Sequence, residues 1–558
     1  MIWFCLNKFE FTVKYEIFCI MVIRMELNTI LPRLMKTVDE KLGFFTNHVL
    51  ISMVIICGVS FILRLYFFEP EIPVRQDANA YLEYAMDMSI LKNIPDSGHA
   101  NNGWPIFLSI FFGIFNFNSY QDYATLQRIV SIIISTLTII PVYVLCRRFF
   151  DRSFAVVGVS LFAFEPHIIQ NSLLGLTEPI YLFLAVISLA LFLSKNQKLF
   201  YGSFAITALA TIVRTEGIII LIILLITFLV NNRKEKRKIG KIFLAIVIFS
   251  AVFVPMMIIK IQTPSGVSSS PLNHIASFSY GSVVDPENNG VNFSNLLKGI
   301  ETMVKRLGQS MIPYFAFFVP FGIVLLFKNR NKENNLIIIS LLVYSLAAIR
   351  MFFVVGDLRF IFFLYPLFII LSVQTIRHIG DNTEFKRIFL IGVISSILLL
   401  SWFFLYSNIE YNYDKEVIRF ANYMVNNVKV SNNFYPESGY IYGVWASSNL
   451  KYPVLTSDAK YTGPQLLDYV KETNYVYLAQ SANSVEEYIE LARDQNLSHL
   501  VIDDNKKRQL YFKDVFYHEE KYPYLIKEFD SAKEGYRYYN VKVFKIDYEY
   551  FDSKLKDD

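Results

Sequence analysis

Cysteine is scarce. The 558-residue chain has four, Cys5, Cys19, Cys57 and Cys146, and none beyond position 146. The C-terminal half therefore has neither a disulfide framework nor a cysteine metal site. Seven histidines are scattered without an HxxxH or HExxH spacing, which argues against a zinc enzyme. GxGxxG and P-loop patterns are absent, so no nucleotide cradle is indicated. Internal repeats and low-complexity tracts are also missing. The net charge of +5 gives no case for a nucleic-acid partner. The N-terminus, MIWFCLNKFEFTVKYEIFCIMVIRMELNT, is apolar but broken by Lys8, Glu10, Lys14 and Glu16, and it lacks a signal-peptide core and cleavage site.

Apolar residues are abundant. They make up 54% of the chain, with 51 Phe and 35 Tyr, and the mean hydropathy is +0.38. This is the composition of a membrane protein. A spanning helix needs about 20 mostly apolar residues. Eleven segments qualify: 47–68, 124–146, 153–172, 178–195, 199–214, 216–232, 241–260, 310–328, 336–354, 358–376 and 388–406. Arg214, Thr215 and Glu216 split one long run. Charges there predict a hairpin tip, because a single span would put them in hydrocarbon. The 14-residue segment 104–117, WPIFLSIFFGIFNF, is too short to cross. It reads as a helix lying at the surface or tucked into the protein.

Loop charge sets the orientation. CRRFFDR, SKNQK, NNRKEKRKIGK, KNRNK and RHIGDNTEFKR are basic. The alternate loops are acidic, neutral or long: 69–123, EPHIIQNSLLGLTEP, RTEG, 261–309 and VVGDLR. The alternation predicts a multi-pass protein of the cell membrane. Residues 1–46 form a cytoplasmic segment, 47–407 a membrane domain, and 408–558 lie on the extracytoplasmic side. In that last part the long apolar runs stop. YVYLAQ (475–480) and HLVIDD (499–504) read as strands around a helix, SVEEYIELARDQ, capped by Ser484. IYGVW and YPVLT read as earlier strands and YRYYNVKVFKI as a later one. The fold class expected is an all-α polytopic membrane domain followed by a small α/β domain. Asn292-Phe-Ser and Asn496-Leu-Ser are glycosylation sequons on the predicted outer side.

Six ordered stretches carry a resemblance. They are QDANAYLEYA, NNGWPIFLSIFFGIF, LQRIVSIIISTLTIIPVYVLCRRFF, PHIIQNSLLGLTEPIYLFLAVISLALFL, ALATIVRTEGIIILIILL and DLRFIFFLYPLFIILS. In order and sidedness the chain resembles the GT-C superfamily of membrane glycosyltransferases, over about residues 60–380. It is most similar to the protein O-mannosyltransferase and aminoarabinose transferase branch. The resemblance implies transfer of a sugar, a mannose-like hexose favoured, from a polyprenyl or dolichyl phosphate. The acceptor is a hydroxyl of a protein, lipid or glycan at the outer membrane face. Two alternatives stand beside it. An oligosaccharyltransferase-like enzyme would carry WWDYG, where this chain has YGVWASSN. A transporter or flippase would show internal repeats.

The resemblance places the catalytic acid at Asp77. A carboxylate within hydrogen-bond reach can accept a hydroxyl proton as the sugar bond breaks. Tyr81 lies one turn on and would line the same site, whereas Glu83 and Asp87 face elsewhere and are expected to be solvated. Glu178 opens a helix with Thr177 as its expected N-cap; it either pairs with the helix dipole or binds sugar or acceptor. Glu165 and His167 are further candidates for sugar or acceptor, and offer two ligands to a divalent metal. Arg214 and Arg359 are candidates for the lipid phosphate, since guanidinium matches phosphate bidentately. Arg128 is expected to be structural. The aminoarabinose branch often has a lysine before the aromatic-proline segment. Here DSGHANNGWP puts His99 in that region, a third phosphate candidate. No organic cofactor is called for.

Overall fold

The structure is a computed structural model. It describes residues 48–72, 74, 77–92, 94–95, 102–115, 117, 120–262, 293–328, 331–354, 356–427, 440–443, 482–493, 497–504 and 509–557. The N-terminal segment, His99, both sequon asparagines and the strands expected at YVYLAQ and YPVLT lie outside the described residues.

Helices dominate. They run α1 Val49–Tyr66, α2 Asp77–Met86, α3 Gly103–Ile114, α4 Tyr120–Leu137, α5 Ile139–Cys146, α6 Arg152–Ala163, α7 Pro166–Ser172, α8 Glu178–Phe192, α9 Gln197–Val213 and α10 Gly217–Asn231. They continue with α11 Lys238–Ile261, α12 Phe293–Ser310, α13 Phe315–Lys328, α14 Lys332–Val354, a 3-10 helix Leu358–Leu364, α15 Tyr365–Gly380, α16 Lys386–Asn408 and α17 Asn412–Asn427. One apolar core runs through the bundle from Ile56 to Leu405. Exposed Leu, Ile and Phe side chains such as Leu50, Ile239, Phe243, Phe317 and Phe403 cover its outside, as lipid contact requires.

Among the described residues six helical stretches are long and apolar enough to cross a membrane, and two bent pairs raise this to eight. This differs from the eleven expected, for local reasons. The run 153–172 bends by 52° between α6 and α7, where the Glu165 carboxylate caps Ile168 N at 2.8 Å and Pro166 starts a new helix. The run 310–328 joins a helix at 109°. The helices α8, α9 and α10 have 15, 17 and 15 residues. The Arg214–Glu216 break does separate α9 from α10 as a tight turn. The WPIF segment is the 12-residue α3; Trp104 at its start is fully buried and donates to Gly175 O at 2.9 Å.

The C-terminal α/β unit contains β1 Tyr440–Gly443, α18 Val485–Arg493, β2 Leu497–Asp503, α19 Leu510–Tyr517, β3 Leu525–Asp530, β4 Val541–Ile546 and α20 Tyr548–Asp557. The four strands are ordered β1-β2-β4-β3, with β1 parallel to β2 and the other pairs antiparallel. Ser484 caps α18, its Oγ accepting from Glu487 N at 3.1 Å. Glu487 reaches back in turn, its Oε2 accepting from Asn483 N, the residue before the cap, at 2.7 Å.

Candidate functional site

Four residues singled out by sequence meet at one end of the bundle. Asp77 is the first residue of α2. Arg359 stands in the 3-10 helix after Asp357, whose carboxylate caps Arg359 N at 3.1 Å. Glu178 opens α8, and Arg214 ends α9. Each sits where an apolar helix starts or stops, so its charge can reach the others without crossing hydrocarbon.

Arg359 is the hub. Its Nη1 donates to Asp77 Oδ2 at 3.0 Å and lies 3.8 Å from Glu178 Oε1, while its Nε donates to Asp357 Oδ2 at 2.7 Å. Glu178 Oε1 also accepts from Arg214 Nη1, and Arg214 Nη2 donates to Glu216 Oε1 at 2.7 Å. The Thr177 hydroxyl is not used as an N-cap; it accepts from Arg214 Nη1 at 3.0 Å. Burial divides the cluster. Glu178 is 1% exposed and Arg214 9%, whereas Arg359 is 25% and Asp77 45% exposed at the side chain. The inner acids Glu178 and Glu216 balance the two arginines. The outer acids Asp77 and Asp357 lean on Arg359 from the open side. With 45% of its side chain exposed, the Asp77 carboxylate can take a hydrogen bond from a ligand.

Tyr81 is buried one turn beyond Asp77 and comes within electrostatic reach of Arg214. The Tyr181 and Phe360 rings lie 6.0 and 5.7 Å from the Arg214 guanidinium. Glu165 and His167 are held apart from this cluster. His167 Nδ1 lies 2.9 Å from Glu165 Oε1, and its ring packs on Tyr365 and Phe404. Asn171 links that helix to the cluster, donating to Glu178 Oε2 at 3.4 Å.

Glu83 and Asp87 are buried, not solvated as expected. The short helix α2 is packed by α3 and α4, and Asn79 donates to Glu83 Oε1 at 2.7 Å. Helical periodicity separates faces but does not reveal that neighbours cover more than one. Arg128 is structural as expected: it donates to Leu173 O, Glu69 O and Ile72 O at 2.7, 2.9 and 2.6 Å. Asp357 and Asn171 were not singled out in the sequence. Asp357 had a signal, an acid two residues before Arg359 at a helix start; Asn171 had none.

Among the described residues no group of three His, Cys, Asp or Glu side chains could hold a metal. Glu165 and His167 supply two ligands, one of which already caps a helix. Between Asp77 and Glu178 the space is taken by the Arg359 guanidinium. These residues do not fit a metal.

The family model described as dolichyl-phosphate-mannose-protein mannosyltransferase matches residues 103–259. That segment includes Glu165, His167, Glu178 and Arg214 but neither Asp77 nor Arg359. No curated protein sequence matches the chain. The fold is similar to the Archaeoglobus fulgidus oligosaccharyltransferase solved with Zn and sulfate, at 16% identity and TM-score 0.55, over 81% of this chain and 68% of that one. It is similar to the same archaeal enzyme, AglB, solved with an inhibitory peptide and a dolichol-phosphate, at 13% identity and TM-score 0.51, over 81% and 69%. It is also similar to ArnT from Cupriavidus metallidurans bound to undecaprenyl phosphate, at 12% identity and TM-score 0.55, over 88% and 97%. The chain thus shares its fold with these membrane glycosyltransferases, and its residues 103–259 match the mannosyltransferase family model.

Proposed function

We propose that the protein transfers a single sugar, a mannose-like hexose favoured, from a polyprenyl or dolichyl phosphate to an acceptor hydroxyl at the outer membrane face. One observation carries this reading: a half-exposed carboxylate, Asp77, is anchored through Arg359 to a buried set of paired charges. The solved structures with dolichol-phosphate and undecaprenyl phosphate support a lipid-phosphate donor, and the description of the matching family supports mannose.

The chemistry follows from the charges. The acceptor oxygen attacks the anomeric carbon of the sugar as the bond from that carbon to the phosphate oxygen breaks, with inversion. The lipid phosphate leaves with the electron pair, and the acceptor proton passes to the Asp77 carboxylate. An ionised phosphate is a good leaving group, so no strong general acid is required. A cation beside it stabilises the charge that develops. Arg359 suits that role better than Arg214. It is partly exposed, whereas Arg214 is buried and already spends its donors on Thr177, Glu178 and Glu216. Glu178 then serves to hold both arginines, and Tyr81 lines the site beside Asp77.

The test uses purified protein in detergent with radiolabelled polyprenyl-phosphate mannose or glucose and an acceptor mixture. Transfer is expected from one monosaccharide donor, and Asp77→Asn should abolish it in protein that still folds. Full activity in Asp77→Asn would sink the mechanism. A lipid-linked oligosaccharide arm covers the second reading, an oligosaccharyltransferase, which the archaeal likeness keeps in play.

A further inference from the structure

The helix α17 ties the C-terminal α/β unit to the loop that leads into Asp77. On one face its contacts are with the sheet. Val417 and Phe420 are buried against Phe529, Tyr539, Val541 and Val543. Between β3 and β4 the chain turns through Gly535, which adopts a φ of 77° that glycine alone takes readily. Beyond it three successive backbone amides converge on one carboxylate. Arg537 N donates to Glu416 Oε1 at 2.9 Å, and Tyr538 N and Tyr539 N both donate to Glu416 Oε2 at 2.7 Å. Hydrogen bonds to an ionised acceptor are among the stronger ones, so this is a firm joint.

On another face the first turn of α17 and the residue before it reach the first long loop. Tyr411 Oη donates to Phe67 O at 2.9 Å, and Lys415 Nζ lies 2.6 Å from Glu69 Oε2. The same loop is held from the bundle side by Arg128, on Glu69 O and Ile72 O, and by Gln121, on Pro70 O at 2.5 Å. Asp77 follows Ile72 by five positions. The Lys415–Glu69 pair is partly in solvent, and such an exposed pair contributes little to stability. The loop side is therefore the weaker joint, and the Glu416 side moves with the sheet.

We propose that α17 is a strut that sets the position of residues 67–72, and with them Asp77, according to how the C-terminal unit is held. Lys415 and Glu416 are positioning residues for the transfer reaction, acting through the loop and not on the substrate. An acceptor that engages the C-terminal unit would then align the carboxylate that takes its proton. A displacement of about 1 Å at a reacting group can cost up to about a hundredfold in rate, so a small strut movement suffices.

The strut itself rests only on the contacts above; its catalytic consequence rests on the proposed glycosyl transfer. The experiment separates the two. Hydrogen exchange is followed by mass spectrometry on the full-length protein, for Glu416→Ala and Lys415→Ala against wild type. Glu416→Ala should raise exchange about tenfold at 537–539 and also at 67–72, across the helix. A rise confined to 537–539 overturns the strut. In the transfer assay Lys415→Ala should lower kcat about tenfold with the KM for lipid donor unchanged, and Lys415→Arg should restore it. A loss that Lys415→Arg does not restore, or that falls on the donor KM, overturns the positioning role. If wild type transfers no sugar, the reading of the reaction fails and the exchange result still decides the strut.

Discussion

Arg359 Nη1 and Asp77 Oδ2 lie 3.0 Å apart across 282 residues of sequence. The pair joins the loop between the first two helices to the segment that starts α15, and so closes the charged end of the bundle. Because Arg359 also touches Asp357 and Glu178, its orientation is fixed before any ligand arrives, which suits a group that must meet developing charge without reorganising.

Replacing Arg359 by lysine keeps the charge and loses the planar fork. One ammonium cannot hold Asp77 and Asp357 and still meet a phosphate. Arg359→Lys should lower kcat/KM by roughly a hundredfold, in the range seen when one preorganised donor is removed. Initial rates at varied lipid-donor concentration check this; a variant within twofold of wild type would remove Arg359 from the site.

Glu178 has a different weight. It is 1% exposed and stands between two guanidinium groups. Breaking a buried pair from one side costs about 3–5 kcal/mol, because the remaining charge is left without its partner. Glu178→Gln should therefore lower the thermal stability of the detergent-solubilised protein as well as its activity. Asp77→Asn, at a half-exposed position, should leave the melting temperature nearly unchanged. If both variants melt like wild type, Glu178 is not the structural centre of the cluster.

These four charges were legible because each interrupts an apolar run at a helix end. Their pairing was not, since nothing in the local sequence links Asp77 to Arg359. The membrane class and the late α/β unit were legible from where the apolar runs stop. The bend inside 153–172 was not: Glu165 capping Ile168 cuts a run that composition alone reads as whole, whereas the charges at Arg214–Glu216 announced their turn. Glu83 and Asp87 show the same limit. Their spacing gives a face, and only the packing of α3 and α4 on α2 shows that the face is covered.

The Arg214 turn depends on a close approach. A Cβ placed on Gly217 would lie 2.5 Å from Thr211 N and 2.6 Å from Thr211 Cα, both backbone atoms that cannot rotate away. Gly217→Ala should push α9 and α10 apart and cost about 1–3 kcal/mol, as overpacking does. It should also lower transfer, because Arg214 at the end of α9 moves with the turn. Melting temperature and specific activity of the purified variant measure both effects. Gly202→Ala, on α9 with open space around the new methyl, is the control and should lower neither.

The C-terminal sheet should respond to mild acid. His499 on β2 is buried, and burial pushes its pKa below the ordinary 6.5; Glu528, 3.2 Å from Nε2, partly offsets this and Lys545 adds to it. The folded unit thus favours neutral imidazole, while the unfolded chain takes up a proton near 6.5. The unfolded state binds more protons in that interval, so stability rises with pH there. It is present in full above 6.5 and is lost as pH falls from 6.5 toward the folded value. Hydrogen exchange of the β2 and β4 amides in the full-length protein, corrected for intrinsic rates, should show protection falling from about pH 7 to about pH 5. The variant His499→Gln, which cannot titrate, should flatten that dependence. An equally steep fall in His499→Gln would assign the acid response to another group.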